Sequence, residues 1–203
     1  MSGFSFAGVK DLNTILDVDK SMELTPDAIA LLWKEYHSEK MGSIGWVAPA
    51  VIGKRALKRA EEENCRFFIT PVFETAAPDP ATAGYYNLVV QYFSPAHFVL
   101  ADMGQYQNDP ANASPLLSFS IFSEFAAAKN LTLIRADIVS PALEEGDARK
   151  IIAATLANFD GNDDEDSVDW VNLFNNDPEK FDFEKFVEEQ RASWFKSKED
   201  REA

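Results

Sequence analysis

Cysteine occurs once in the 203 residues, as Cys65, and histidine twice, as His37 and His97. One cysteine excludes an internal disulfide framework, and with two histidines in separate elements it cannot complete a zinc set of the usual C-x-x-C type. Cys65 is therefore expected to be a small buried hydrophobe. Basic residues are scarce as well: 19 Lys and Arg face 34 Asp and Glu, a formal net charge of −15. That balance argues against nucleic acid and anionic membrane as partners, because both repel such a chain; a basic or mixed-charge protein suits it better. Long apolar runs are missing. "LTLIRADIV" and "NLVVQYF" are strand-sized, well short of the ~20 residues that span a bilayer, so no direct membrane insertion is expected. The first twenty residues hold Lys10 but no arginine, and they include Asp11, Asp17 and Asp19. They resemble neither an acid-poor import presequence nor a secretory signal, so a protein working in an organelle would have lost its presequence or used an unusual one.

The familiar catalytic motifs are absent too. The nearest approach to a phosphate-binding loop, "APAVIGKR", has Ala48 where the first glycine belongs and Arg55 where the hydroxyl belongs, which removes the tight turn and the magnesium ligand. A dinucleotide fingerprint and a G-x-S-x-G elbow are lacking. "DGNDDEDSVDWV" places Asp160, Asn162 and Asp164 at positions 1, 3 and 5 of a calcium loop. Glu165 then replaces the glycine at position 6 and Val171 the bidentate glutamate at position 12, so it is no EF-hand. The carboxylates are too many for spacing to single out a catalytic pair. No catalytic residue, cofactor or metal site is expected, and the chain reads as a non-enzyme.

What is present is a mixed α/β pattern. Thr25 is a good N-cap with Pro26 at the first helical position, and Ile29, Leu32, Trp33 and Tyr36 fall at i, i+3, i+4 and i+7. This predicts a helix over 25–40 with Trp33 and Tyr36 as core anchors and His37 on the exposed face. "PAVIGKRALKRAEEEN" predicts a second helix from about Pro49, its face built from Val51, Ile52 or Ala56, Leu57 and Ala60, with Gly53 a mild weakness. Stretches rich in β-branched and aromatic residues predict strands at 66–73, 85–93, 97–103, 116–122 and 131–139. "FSPAH" at 93–97 is short enough to join antiparallel neighbours. "SEFAAAKN" suits a short helix and "ALEEGDARKIIAATLANF" a longer one. The order favours an α+β fold, a mainly antiparallel sheet covered by helices on one side.

Composition changes at Asp160. Residues 160–203 carry 15 Asp and Glu against 6 Lys and Arg, and "DGNDDEDS" predicts a solvated linker. Two units follow: an α+β domain at 1–159, and an acidic linker with an amphipathic helical tail at 160–203. In the tail Trp170, Leu173, Phe174, Phe181, Phe186, Trp194 and Phe195 fall on two amphipathic pieces, with Phe183, Val187 and Gln190 beside them. They either dock on the chain's own sheet or bind a partner; as partner-binding residues they are the candidate site.

"LNTILDVDK", then "LTPDAIALLWKEYHSEK", then a "PA" leading into a second helix, resemble the mitochondrial ATP synthase F1 assembly-factor family that chaperones the β subunit. "FFITP" at 67–71, "SEFAAAKNLTLIRADI" and "EEGDARKIIAATLANFD" resemble later family segments in the same order. The likeness covers roughly residues 12–160 and leaves the aromatic tail outside. "VFETAAPDPATAGYYN" and "FSIFSEF" depart from the family pattern, the latter standing where members carry "YHYPEL". The resemblance implies a non-catalytic, ATP-independent protein located in mitochondria, on the matrix side. It would shield the unassembled β subunit until the α subunit arrives. The departures and the tail suit an alternative, a divergent member retained as a permanent accessory subunit of assembled ATP synthase.

Overall fold

The computed structural model describes residues 10–75, 79–161 and 167–196. Short turns at the start lead through α1 (Val18–Ser21) to α2 (Pro26–Ser38). Thr25 Oγ1 accepts from Ala28 N at 3.3 Å, closing the first turn of α2 as the sequence predicts. Then follow β1 (Ser43–Pro49), α3 (Ala50–Glu61), β2 (Phe67–Phe73), β3 (Tyr85–Phe93), β4 (His97–Asp102), α4 (Met103–Asn108), β5 (Pro115–Phe122), α5 (Ala126–Lys129), β6 (Leu131–Ile138) and α6 (Glu145–Asp160). Two tail helices, α7 (Trp170–Asn176) and α8 (Phe183–Trp194), follow among the described residues.

The six strands among the described residues join one antiparallel sheet in the order β1-β6-β5-β4-β3-β2. α3 carries the chain from one edge of the sheet to the other, and β2 to β6 then walk back until β6 meets β1. The five strands expected from β-propensity are present with their bounds shifted by no more than a residue. β1 was not expected: "SIGWVAP" contains Gly45, Ala48 and Pro49, which lower its strand signal, and it is β6 that pairs it.

The expected α+β class holds, but helices cover both faces of the sheet rather than one. On the first face Leu88, Val90, Phe98, Leu100, Leu117, Phe119 and Ile134 pack beneath α3, α6, α7 and α8. Phe98 and Phe119, directly opposed across β4 and β5, stack at 4.8 Å, and Phe159 of α6 meets Phe98 edge-on at 5.1 Å. On the second face α2 and the N-terminal turns close over Phe122, Leu131 and Leu133, while Tyr106 of α4 closes over Val89 and Val99. Alternation is what divides β6 between them: Leu131 and Leu133 face α2, whereas Ile134 and Ala136 face α6.

Two helix faces differ from expectation. α2 buries Ile29, Trp33 and His37, an i, i+4, i+8 line; Leu32 is 43 % exposed and Tyr36 only half-buried. His37 is inside because Gly45 has no side chain: a Cβ there would lie 2.9 Å from both His37 Nδ1 and Trp33 O. The imidazole fills that space, with Nδ1 2.7 Å from Trp33 O, and Trp33 Nε1 donates to Ile134 O at 3.1 Å. α3 likewise buries Gly53, Ala56 and Ala60, leaving Val51 exposed. Gly53 lets the helix approach Thr132 of β6 so closely that a Cβ would meet Thr132 Cγ2 at 2.6 Å. Cys65 is buried, as expected.

Candidate functional site

The tail helices begin on aspartates. Asp169 Oδ1 accepts from Asn172 N at 3.1 Å and Asp182 Oδ1 from Lys185 N at 3.0 Å, so each gives one first-turn donor of its helix a partner. Between them a one-turn 3-10 segment, Pro178–Lys180, ends at the extended residue Phe181 and folds α8 back beside α7.

The seven nominated side chains divide by depth. Trp170, Phe186 and Trp194 are buried in the chain's own main core; Leu173, Phe174, Phe181 and Phe195 are half-buried against it. Five of these aromatics converge on two sheet positions at the β2 edge. Phe68 is met edge-on by Phe174 at 5.6 Å, Phe181 at 6.5 Å and Phe186 at 5.3 Å. Phe73 is met by Trp194 at 5.9 Å and Phe195 at 6.1 Å. Trp170 joins the first group through Phe181 and Phe186, and its Nε1 donates to Glu189 at 2.7 Å. Burial of an aromatic of this size stabilises by about 1.5–3 kcal/mol.

Polar side chains that carry no hydrophobic signal complete the seat. Asn175 donates from Nδ2 to Phe67 O at 2.6 Å and accepts Phe67 N on Oδ1 at 3.1 Å. Its carboxamide thus satisfies an outward-facing pair of backbone groups on the edge strand, as another strand would. Replacing Asn175 by alanine is expected to lower stability by about 1–3 kcal/mol, because that pair loses its partner; urea unfolding measures it, and a loss below about 0.5 kcal/mol would show water replacing the amide without cost. Farther along, Arg191 donates to Pro80 O at 3.1 Å and Ala83 O at 2.7 Å, with its guanidinium over Phe73. Neither residue follows from amphipathic spacing. The only available signal was that Asn175 and Arg191 sit among the nominated aromatics.

α3 stands between the tail and a separate open surface. One flank reaches the tail region: Arg59 pairs with Asp169, and Arg55 lies 3.6 Å from Asp160. These two pairs bracket the acidic stretch, whose centre, with Asn162, Asp164 and Glu165 of the calcium-like pattern, lies outside the described residues. The other flank, Lys54, Leu57, Lys58 and Glu61 at i, i+3, i+4 and i+7, forms one wall of a surface groove of about 1100 Å³. The turn between β3 and β4, containing the cis Ser94–Pro95 peptide, and α5 form the opposite wall.

Chemically reactive groups are dispersed. His37 lies beneath β1, and His97 lies on β4 with its Nδ1 2.8 Å from Ser120 Oγ. Burial pushes the Cys65 thiol up, which disfavours the thiolate. Among the described residues no group of three or more His, Cys, Asp or Glu side chains is placed to hold a metal. Nor is any helix among them long and apolar enough to cross a membrane.

Compared with protein-family models, residues 4–187 match the one described as ATP11 protein. No curated protein matches the chain. The matched region begins earlier and ends later than the 12–160 expected from sequence; it takes in all of α7 and α8 as far as Val187. The core position of Trp170 and Phe186 supplies a physical reason: these residues belong to the same packed unit as the sheet.

Proposed function

The chain belongs to the ATP11 family of mitochondrial F1 ATP synthase assembly factors, and from that premise we propose that it shields the unassembled β subunit in the mitochondrial matrix, without catalysis and without ATP. The observation that carries this reading is the span of the family match, which covers the whole sheet and most of the tail. Protection by a folded binding surface suits such a protein, since covering an apolar interface suppresses aggregation through the hydrophobic effect alone. The net charge of −15 favours a client surface that is basic or mixed.

The tail residues take two roles in this proposal. Trp170, Phe186 and Trp194 hold the tail against the sheet, and the half-buried Leu173, Phe174, Phe181 and Phe195 offer apolar fringes to the client. The division into a domain at 1–159 and a tail at 160–203 then describes composition and role, with the tail's aromatics seated on the sheet.

The test is to dilute denatured β subunit into buffer without nucleotide, with and without this protein, and follow light scattering. Suppressed aggregation at about equimolar ratio supports the proposal; scattering unchanged, or lowered only when ATP is added, rejects it. Native separation of gently solubilised mitochondria distinguishes the alternative role. Migration with free β subunit is expected, whereas a fixed ratio to mature ATP synthase would make the protein a permanent accessory subunit.

A further inference from the structure

The groove beside α3 is built as a surface for a peptide-like segment rather than for a small molecule. It is open along the surface, so a compact ligand would leave much of itself in water, unlike the enclosed pockets that small ligands fill. Its floor and walls are mainly apolar, including Val51, Leu57, Tyr92, Pro95 and Ala126. Val51 is 45 % exposed, high for a branched apolar side chain in the first turn of an otherwise well-packed helix. The groove continues past Leu57, Ser94, Pro95 and Ser123 into a second open depression of about 790 Å³ beside Leu12 and Phe122.

Charge along the rim gives the occupant a direction. Lys58 is engaged by Glu63 at 3.0 Å, and Glu61 accepts from Ser94 Oγ at 3.2 Å and lies 4.0 Å from Arg66. Lys54 and Glu62 form no ion pair among the described residues, yet both line the groove. They stand eight positions apart, Lys54 within α3 and Glu62 at its C-cap, about 12 Å along the axis. An occupant complementary to this rim carries a carboxylate at one end and a cationic side chain at the other, with apolar residues between. That spacing corresponds to about two turns of helix, or about four residues of extended chain.

The wall is also held in place before anything binds. Arg55 and Arg59 fix the far flank of α3 to Asp160 and Asp169, and its inner face is buried at Gly53, Ala56 and Ala60, Gly53 lying directly against Thr132 of β6. On the opposite wall Tyr92 OH donates to Pro95 O at 2.8 Å, which ties the β3–β4 turn to the strand. A preformed groove costs little ordering on association.

We propose that this groove is a docking site for an apolar segment of the unassembled β subunit that bears an acidic residue at the Lys54 end and a basic residue at the Glu62 end. This rests on the reading of the protein as a β-subunit-binding factor. Val51 and Leu57 supply the apolar contact, and Lys54 and Glu62 set its polarity.

The test uses the full chain and purified, unassembled β subunit in nucleotide-free buffer. The Val51→Glu/Lys54→Glu double variant changes two exposed positions near the start of α3, and an acidic residue at position 51, in the first turn, favours the helix dipole. Its circular dichroism and thermal midpoint are expected to match the parent. Affinity for β subunit is expected to fall about tenfold or more, as for loss of an interface anchor. In parallel, amide exchange of the unaltered protein should slow at residues 50–58 and 92–95 when β subunit is added, a readout independent of the variant's folding. If the unaltered protein binds but the double variant binds equally well, the groove is not the site while the assembly-factor reading stands. If the unaltered protein self-associates and the substitutions abolish this, a second copy is the occupant and the proposal is overturned. Failure of the unaltered protein to bind β subunit at all would remove the parent reading itself.

Discussion

Replacing Phe186 by alanine is expected to lower the stability of the whole fold by about 3–5 kcal/mol, the range for emptying a fully enclosed aromatic site. Phe186 is 0 % exposed and touches Phe68 of the sheet together with Trp170 and Phe181 of the tail. The missing ring would leave a cavity bounded by a strand on one side and two helices on the other, and neither side can collapse without moving the other. Urea unfolding should remain a single transition when followed by tryptophan fluorescence, because Trp33 and Trp46 report on the sheet while Trp170 and Trp194 report on the tail. Phe183, exposed on the same helix, is the control; its replacement by alanine should change stability by no more than about 0.5 kcal/mol. Two separated transitions, or a sheet unaffected by the Phe186 change, would show that the tail is only an appendage.

Acidification should destabilise the protein through His97. Burial pushes its imidazole down to about 4 from an ordinary value of 6.5, with the nearby Asp137 charge acting in the opposite sense. A histidine with a lowered folded pKa contributes stability that is complete above the unfolded value and lost as pH falls through the folded one. Here the loss runs from about pH 6.5 to pH 4 and reaches about 3 kcal/mol. Burial shifts His37 downward as well, which adds to the loss in the same direction. The net charge of −15 works against this trend, since protonating carboxylates relieves repulsion. The informative quantity is therefore the difference between the parent and His97→Asn, whose amide is able to meet Ser120 Oγ without gaining charge. Stability measured in urea between pH 7.5 and 4.5 should converge for the two as pH falls. A difference that stays constant over that range would remove His97 as the source.

Much of the fold was legible from local pattern. β2 to β6 lie where β-branched and aromatic residues crowd, and α2 starts at a threonine–proline pair whose capping chemistry needs only its own first turn. β1 was not legible, because a strand containing glycine, alanine and proline is defined by the neighbour that pairs it, here β6. The orientation of α2 misled for a related reason. Periodicity favoured Leu32 and Tyr36, but the vacancy over Gly45 selects His37, and nothing near residue 37 in sequence signals that vacancy.

The candidate site divides in the same way. Amphipathic spacing found the tail aromatics, since helical periodicity is written in the residues themselves. It said nothing of their destination, because docking on Phe68 and Phe73 depends on a sheet edge about a hundred residues earlier in the chain. The groove beside α3 was less legible still: Val51 and Leu57 looked like core positions, and only the placement of α5 and the β3–β4 turn leaves them facing an opening.

By itself, then, the sequence determined the α+β class, the five propensity-rich strands, the main helices, the acidic balance and the likeness to a family of ATP synthase assembly factors, all of which reside in composition and short-range spacing. Tertiary structure alone decided that helices cover both faces, that the tail's largest aromatics are inside, and that one flank of α3 is open. Each of those depends on contacts between distant segments, and a residue's own hydrophobicity states that it will be buried without stating against what.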